Sequence, residues 1–345
     1  MKILIYGAGA IGGYLGGRLY QFGNNVTLLS LPFAIEPIIE HGLTISEADE
    51  TVTLQPPCVV SLEEAFTDNK QYDLILVTMK SYDLDAAREA IYPFITQPTV
   101  FMTVGNGIGV ERPFIEQFGS AQVLAGSLTT PVRKANNHHL IIERPDRGLG
   151  LAMTQPGMHA TKWVDLFNNA HITTISAVDY ESMKWSKAFL NIVGNATSAI
   201  LNRPPGEVYQ MPGMFDIEVA MLRETLMVMD KKGLTVMDLP GSAARQLAFG
   251  VRRVPKFLLK PILTKIVAGG RGNKMPSFQI ELASGSNRSE VIFHNGAIAE
   301  AGKEVGIPTP VNATLNSILM QITTGVVNWE EYDGQPQRLI EQIPS

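Results

Sequence analysis

One cysteine, Cys58, stands in 345 residues, so no disulfide can form within the chain and a reducing compartment is expected. Histidine is scarce as well: six are present, scattered apart from His138 and His139, and no compact His, Cys and Asp set has metal-ligand spacing, so no metal is expected. No uncharged apolar run approaches the ~20 residues of a membrane span. The apolar stretch at the N-terminus, Ile3 to Tyr6, is too short for the core of a signal peptide. Excess positive charge is missing too. A net charge of −5 excludes a general attraction to nucleic acid or to anionic membranes. With 45% hydrophobic and 18% charged residues the chain is not globally disordered, and its length suggests about two domains of ~100–200 residues each. These absences together describe a cytoplasmic globular protein.

One local absence runs the other way. From Leu239 to Ile280 there is no acidic residue, while Arg245, Arg252, Arg253, Lys256, Lys260, Lys265, Arg271 and Lys274 all occur there. Such a stretch could steer an anion, touch a membrane surface or a partner, or be a solvated insertion. Pro255, Pro261, Gly269, Gly270 and Gly272 interrupt any long basic helix, which favours the insertion.

Turning to what is present, Ile3 to Tyr6 reads as a buried parallel strand, and Gly7, Gly9 and Gly12 follow in the spacing GxGxxG. The first glycine permits a tight turn, the second a close approach by pyrophosphate, and the third close packing of helix on strand. The stretch Ala10 to Tyr20 and a second strand at Val26 to Leu29 complete a dinucleotide-binding unit, with Gly7, Ala8, Gly9, Ala10, Ile11 and Gly12 at the anion. The acid that would hold the ribose of NAD after the second strand is missing; Ser30 and Leu31 stand there. Leu43 to Ile45 and Val52 to Leu54 form a hairpin. Further strands are expected at Asp73 to Met79, Val100 to Val104, Gln122 to Ala125, His139 to Glu143, Gly148 to Ala152 and Ile172 to Ile175. Lys80 follows one carboxyl strand end and is read as a phosphate or ribose contact, a lysine that merely solvates its loop being the alternative. Asn106 follows another, between Gly105 and Gly107, where glycines let backbone approach a ligand; an ordinary turn is the alternative.

After about Val178 the pattern becomes helical. The expected fold is α/β, a Rossmann-type dinucleotide-binding domain over 1–178 followed by an all-α domain over 179–345. On a continuous helix from Glu181 to Ile200, at ~100° per residue, Lys187, Asn191 and Asn195 share one stripe, with Lys184 and Ser198 beside it. Trp185, Phe189, Leu190, Ile192, Val193, Ala196, Ala199 and Ile200 make most of the rest apolar, so the helix reads as buried with its stripe facing partners or a wet cavity, or else as an edge helix whose stripe meets bulk water. A buried lysine loses proton affinity and suits proton donation near neutral pH. Helices are also expected at Asp216 to Lys232, Ser289 to Val305 and Asn312 to Thr323. Taken alone, Glu290 in a first turn serves the helix dipole.

Taken together, GAGAIGG at the N-terminus, the Lys80 loop, NGIG from Asn106, KAFLNIVGN from Lys187, Ser277 in MPS, and RSEVIFHNG around Glu290 resemble the ketopantoate reductase family over nearly the whole chain. The resemblance implies reduction of 2-dehydropantoate to pantoate with NADPH, Lys187 as proton donor, and Asn106, Asn191, Asn195, Ser277 and Glu290 around the substrate. It also implies Lys80, Asn106 and Glu290 beside the cofactor. The expected partners are a small 2-oxo acid and, in a homodimer, a second copy; nucleic acid and membrane are not among them. The sequence departs from the family at Gly105, where Gln or His is frequent, at Pro205, where an asparagine often meets the substrate, and at Leu31, where an arginine usually reads the NADP 2′-phosphate. A reductase of another 2-oxo acid, and a nucleotide sensor without catalysis, are the rival readings.

Overall fold

The computed structural model describes residues 1–271 and 274–344, without the side chains of Asn69 and Arg271. Gly272 and the Arg271 side chain, both invoked above, lie outside that description. The chain forms two compact units. The first comprises residues 1–106, 110–183 and 239–242, the second 107–109, 184–238 and 243–345.

The first unit holds twelve strands: β1 (Lys2–Tyr6), β2 (Asn25–Leu29), β3 (Leu43–Glu47), β4 (Glu50–Leu54), β5 (Cys58–Val59), β6 (Leu74–Val77), β7 (Val100–Thr103), β8 (Val123–Leu128), β9 (Val132–Lys134), β10 (His139–Ile142), β11 (Leu149–Met153) and β12 (Thr174–Ser176). Eight of them make one sheet in the order β12-β11-β8-β7-β6-β1-β2-β5. Its pairs are parallel except β8 with β11. Ile3, Leu4, Ile5 and Leu74 to Val77 are fully buried, which explains their unbroken apolar runs: a parallel strand covered on both faces has no polar side to alternate. The hairpin pairs Leu43 with Leu54 and joins β10 and β9 in a separate four-stranded sheet, order β4-β3-β10-β9. Because the chain leaves β1 for β2 on one side and returns through β6 on the other, the carboxyl end of β1 is a topological switch point, where open α/β sheets bind ligands.

The second unit is helical. Its core gathers Trp185, Phe189, Ile192, Tyr209, Met221, Phe278, Leu315 and their neighbours. A buried carboxylate pins one helix start: Glu224 accepts the amides of Val311 and Asn312 at 2.8 and 2.9 Å and the Asn312 side chain at 2.7 Å, meeting the exposed donors that open the Pro310–Thr323 helix. Asn295, fully buried, donates to Asn312 Oδ1 and so serves this framework. One expected break is absent, since Pro261 and Gly269 lie within a continuous helix Lys256–Arg271, and two expected helices are interrupted. The stretch from Glu181 to Ile200 is not one helix: Tyr180–Asn191 ends, a turn follows, and a second helix runs Ala196–Leu201. Likewise Glu290–Phe293 is a tight 3₁₀ turn, with the α-helix beginning only at Asn295.

Candidate active site

In the first unit, the amides of Gly7 and Ala8 both reach back to the Leu29 carbonyl, at 2.9 and 3.2 Å, which fixes the turn leaving β1. Gly7 sits at φ +105°, and a side chain at Gly12 would press into Gly7 O and Thr78 Oγ1. Both glycines are therefore demanded by the protein itself. Gly9 is different: it caps the Ala10–Gln21 helix at φ −77°, and a Cβ placed there would have nothing within 4 Å. No contact within the chain asks for glycine, so the open space at Gly9 fits a group brought from outside. The first amides of the helix, at Ala10 and Ile11, have no acceptor in their own helix and carry its positive dipole end, as a pyrophosphate requires. Lys80 is exposed just beyond β6, and Ser81 Oγ beside it donates to the Asn106 carbonyl at 2.7 Å. That bond ties the loop after β6 to the loop after β7, so Lys80 and Asn106 belong to the same edge as the glycine turn. The glycine following Asn106 has another purpose than the one read from sequence. Gly107, at φ +107°, would drive a Cβ to 2.6 Å from Phe293 Cβ, and the amide of Ile108 bonds the Phe293 carbonyl at 2.8 Å. Close backbone packing, as well as any ligand, explains its identity.

In the second unit, the Tyr180–Asn191 helix carries Lys184, Lys187 and Asn191. The buried lysine is Lys184, at 2% exposure, whereas Lys187 and Asn191 are half-buried. Asn195, buried, donates from Nδ2 to Ser277 Oγ at 3.3 Å and accepts the Phe278 amide on Oδ1 at 3.3 Å. These two sequence-distant predictions thus meet. Glu290 is buried at 5% exposure; its amide donates to Glu281 Oε2 at 3.3 Å and its carbonyl lies 3.0 Å from His294 Nδ1. His294, wholly enclosed and edge-on to Phe278, has its proton affinity pushed down, first by burial, and by the charges of Lys184 and Lys187, against the opposing pull of Glu290. Lys184, Lys187, Glu290 and His294 therefore share one electrostatic neighbourhood.

His294 and Lys184 were not among the expected site residues. Helical spacing places Lys184 beside the Lys187 stripe, three residues before it, but gives it no role. His294 had no signal, since a lone histidine among apolar residues reads as core.

Backbone amides arranged for a pyrophosphate in one unit, and an ammonium group with amides, a hydroxyl and a carboxylate among apolar neighbours in the other, equip a chain for hydride exchange with a small polar molecule: this is an NAD(P)-dependent oxidoreductase. Family models match residues 3–147 as "Ketopantoate reductase PanE/ApbA" and 179–323 as its C-terminal part, so the chain belongs to the ketopantoate reductase family. The 2-dehydropantoate 2-reductase of Pyrococcus horikoshii is 27% identical over 91% of this chain and 95% of its own. An uncharacterized oxidoreductase of Bacillus subtilis, YkpB, is 35% identical over 36% of this chain and 40% of its own. Among solved structures, a PanE/ApbA family ketopantoate reductase from Ralstonia eutropha aligns with TM-score 0.78 at 24% identity over 94% of this chain and 99% of that one. A D-mandelate dehydrogenase solved with NADH and anilino(oxo)acetate aligns at 0.77 and 20% identity, again over 94% and 99%. At these identities the structural likeness speaks for the fold.

Proposed function

We propose that this chain reduces 2-dehydropantoate to pantoate with NADPH, with residues 1–178 serving the cofactor and 179–345 the substrate. The observation carrying the reading is the meeting in the second unit of Asn195 with Ser277, whose side chains bond although they lie far apart in sequence. Bound NADPH supplies the hydride that adds to the ketone carbon. The resulting alkoxide takes a proton from Lys187, whose half-buried position keeps it reachable. Asn191, Asn195 and Ser277 offer donors to the substrate carboxylate without adding charge, and Glu290 accepts the substrate hydroxyl. Lys80, Asn106 and Glu290 are read as cofactor neighbours. The NADPH preference rests on the resemblance and on the absence of an acid at Ser30 and Leu31, the latter 62% exposed. We place the reaction in the cytoplasm and expect a homodimer. Burial pushes the Cys58 thiol up to about 11, which keeps it protonated and unreactive.

A second reading, reduction of a different 2-oxo acid, is favoured by Pro205. It is buried, and its Cβ would stand 2.9 Å from a Cβ at Gly194, so it packs on the turn where the family often offers a substrate-binding amide. The deciding experiment compares kcat/KM for 2-dehydropantoate and 2-oxoisovalerate, which lacks the hydroxymethyl group, with NADPH and with NADH. A preference of roughly tenfold or more for the hydroxylated substrate, lost in Glu290→Gln, is expected, as for an unpaired buried polar group. Preference for the analogue, or for a bulkier 2-oxo acid, would remove the pantoate assignment.

A further inference from the structure

We propose that Glu218 is a positioning residue for the reductase site, holding the break between the lysine-bearing helix and the helix behind it so that Asn195 faces Ser277. The proposal rests on the reading of Asn195 as a substrate contact.

In an unbroken helix the amide of Gly194 would bond the Leu190 carbonyl four residues back. Instead it donates to Glu218 Oε2 at 2.9 Å. The same carboxylate accepts Tyr209 OH at 2.8 Å on that oxygen and Thr197 Oγ1 at 2.5 Å on the other. Glu218 projects from the Met214–Lys231 helix and is fully buried. One carboxylate thus binds the turn itself, the first turn of the Ala196–Leu201 helix, and the tyrosine after the Pro205–Val208 helix. Gly194 takes φ +59°, a left-handed backbone that glycine adopts without the Cβ penalty of other residues.

The consequence falls on Asn195. It occupies the capping position of the Ala196–Leu201 helix, where an asparagine ordinarily accepts one of that helix's own amides. Here it makes no such cap; both ends of its side chain turn to Ser277 and Phe278. Its remaining N–H is then the one an amide of this kind can offer a ligand. An apolar side chain at 218 would fill the core without the cost of burying a carboxylate, but would leave the Gly194 amide and two hydroxyls competing for other acceptors. The buried carboxyl group is explained by the turn it specifies.

The test is a double-mutant cycle of Glu218→Gln and Asn195→Ala, reading kcat/KM for 2-dehydropantoate, the Kd for NADPH, and near-ultraviolet circular dichroism as a check on folding. Each single variant should lose roughly 10- to 100-fold in kcat/KM, the scale of a misplaced binding group, with NADPH affinity unchanged. The double variant should stay within about threefold of the worse single one, because both remove the same contact. Tyr209→Phe, which deletes one donor and keeps the carboxylate, should show a smaller loss in the same direction, and it carries the test if Glu218→Gln does not fold. Full activity of Glu218→Gln or, in its place, of Tyr209→Phe, alongside an impaired Asn195→Ala, overturns the role of Glu218 alone. Multiplying losses, or equal losses in NADPH affinity, also overturn it. An unimpaired Asn195→Ala overturns the reading of Asn195 and the proposal with it.

Discussion

At the residue scale, the difference between the glycines of the first turn is a matter of what stands beside each. Gly7 and Gly12 are fixed by neighbouring atoms of the chain, while Gly9 is not. Gly9→Val is therefore expected to fold normally and to lose cofactor binding, measured by the quenching or shift of NADPH fluorescence; unchanged affinity in a folded variant would refute the cradle. Lys187→Ala should lower kcat by roughly 10²-fold with little change in NADPH affinity, the scale of a lost general acid. A pH–rate profile identical to the parent's would return that lysine to a solvent-facing role. Lys187 and Glu290 were both visible in the sequence, the one through its helical stripe with Asn191, the other through its motif. Which of the two lysines is buried was not visible, since a stripe fixes an angle around a helix and says nothing about how deep the next layer lies.

At the scale of elements, helical periodicity carries a reader from Glu181 straight through to Ile200, because nothing in KAFLNIVGNATSAI except one glycine marks a stop. The stop comes from Glu218, more than twenty residues away, and from Pro205 packed where a side chain at 194 would be. Long-range partners of this kind leave no trace in local spacing. Strands were easier to see, for a parallel strand buried on both faces writes its whole length as apolar residues. Gly194→Ala should destabilise the protein by roughly 1–3 kcal/mol, from a left-handed backbone imposed on a residue with a Cβ and from the approach to Pro205. Chemical denaturation checks the size of the loss, and an unchanged midpoint would mean the turn relaxes freely. The basic stretch is likewise answered by carboxylates outside it: Arg245 pairs with nearby Asp238, and Arg252 and Lys256 with the more distant Asp230 and Asp216. Its charge is thus partly met by the neighbouring Met214–Lys231 helix and the segment after it.

For the whole molecule, the enclosed His294 sets a pH dependence of stability. Its folded proton affinity lies below the ordinary value of 6.5, so between the two the unfolded chain binds more protons than the folded one. Stability then rises with pH through this window. His294 thus contributes fully above about pH 6.5, and that contribution fades as pH falls toward its lower folded value. Thermal midpoints between about pH 5 and 8 should show this acid-side loss in the parent and a flatter profile in His294→Gln. A parent profile as flat as the variant's would mean the imidazole titrates freely.

The two compact units also trade short pieces of chain. Residues 107–109 fold with the second, through the bond from the Ile108 amide to Phe293, and residues 239–242 fold with the first, through Thr129 Oγ1, which donates to the Pro240 carbonyl at 2.6 Å. A gene cut at any one codon would deprive at least one product of a segment it needs, so no single cut yields two complete modules. Exchange of domains with relatives by a single crossover would therefore break native packing, and successful chimaeras of this protein should require the swapped pieces to travel with their borrowed segments.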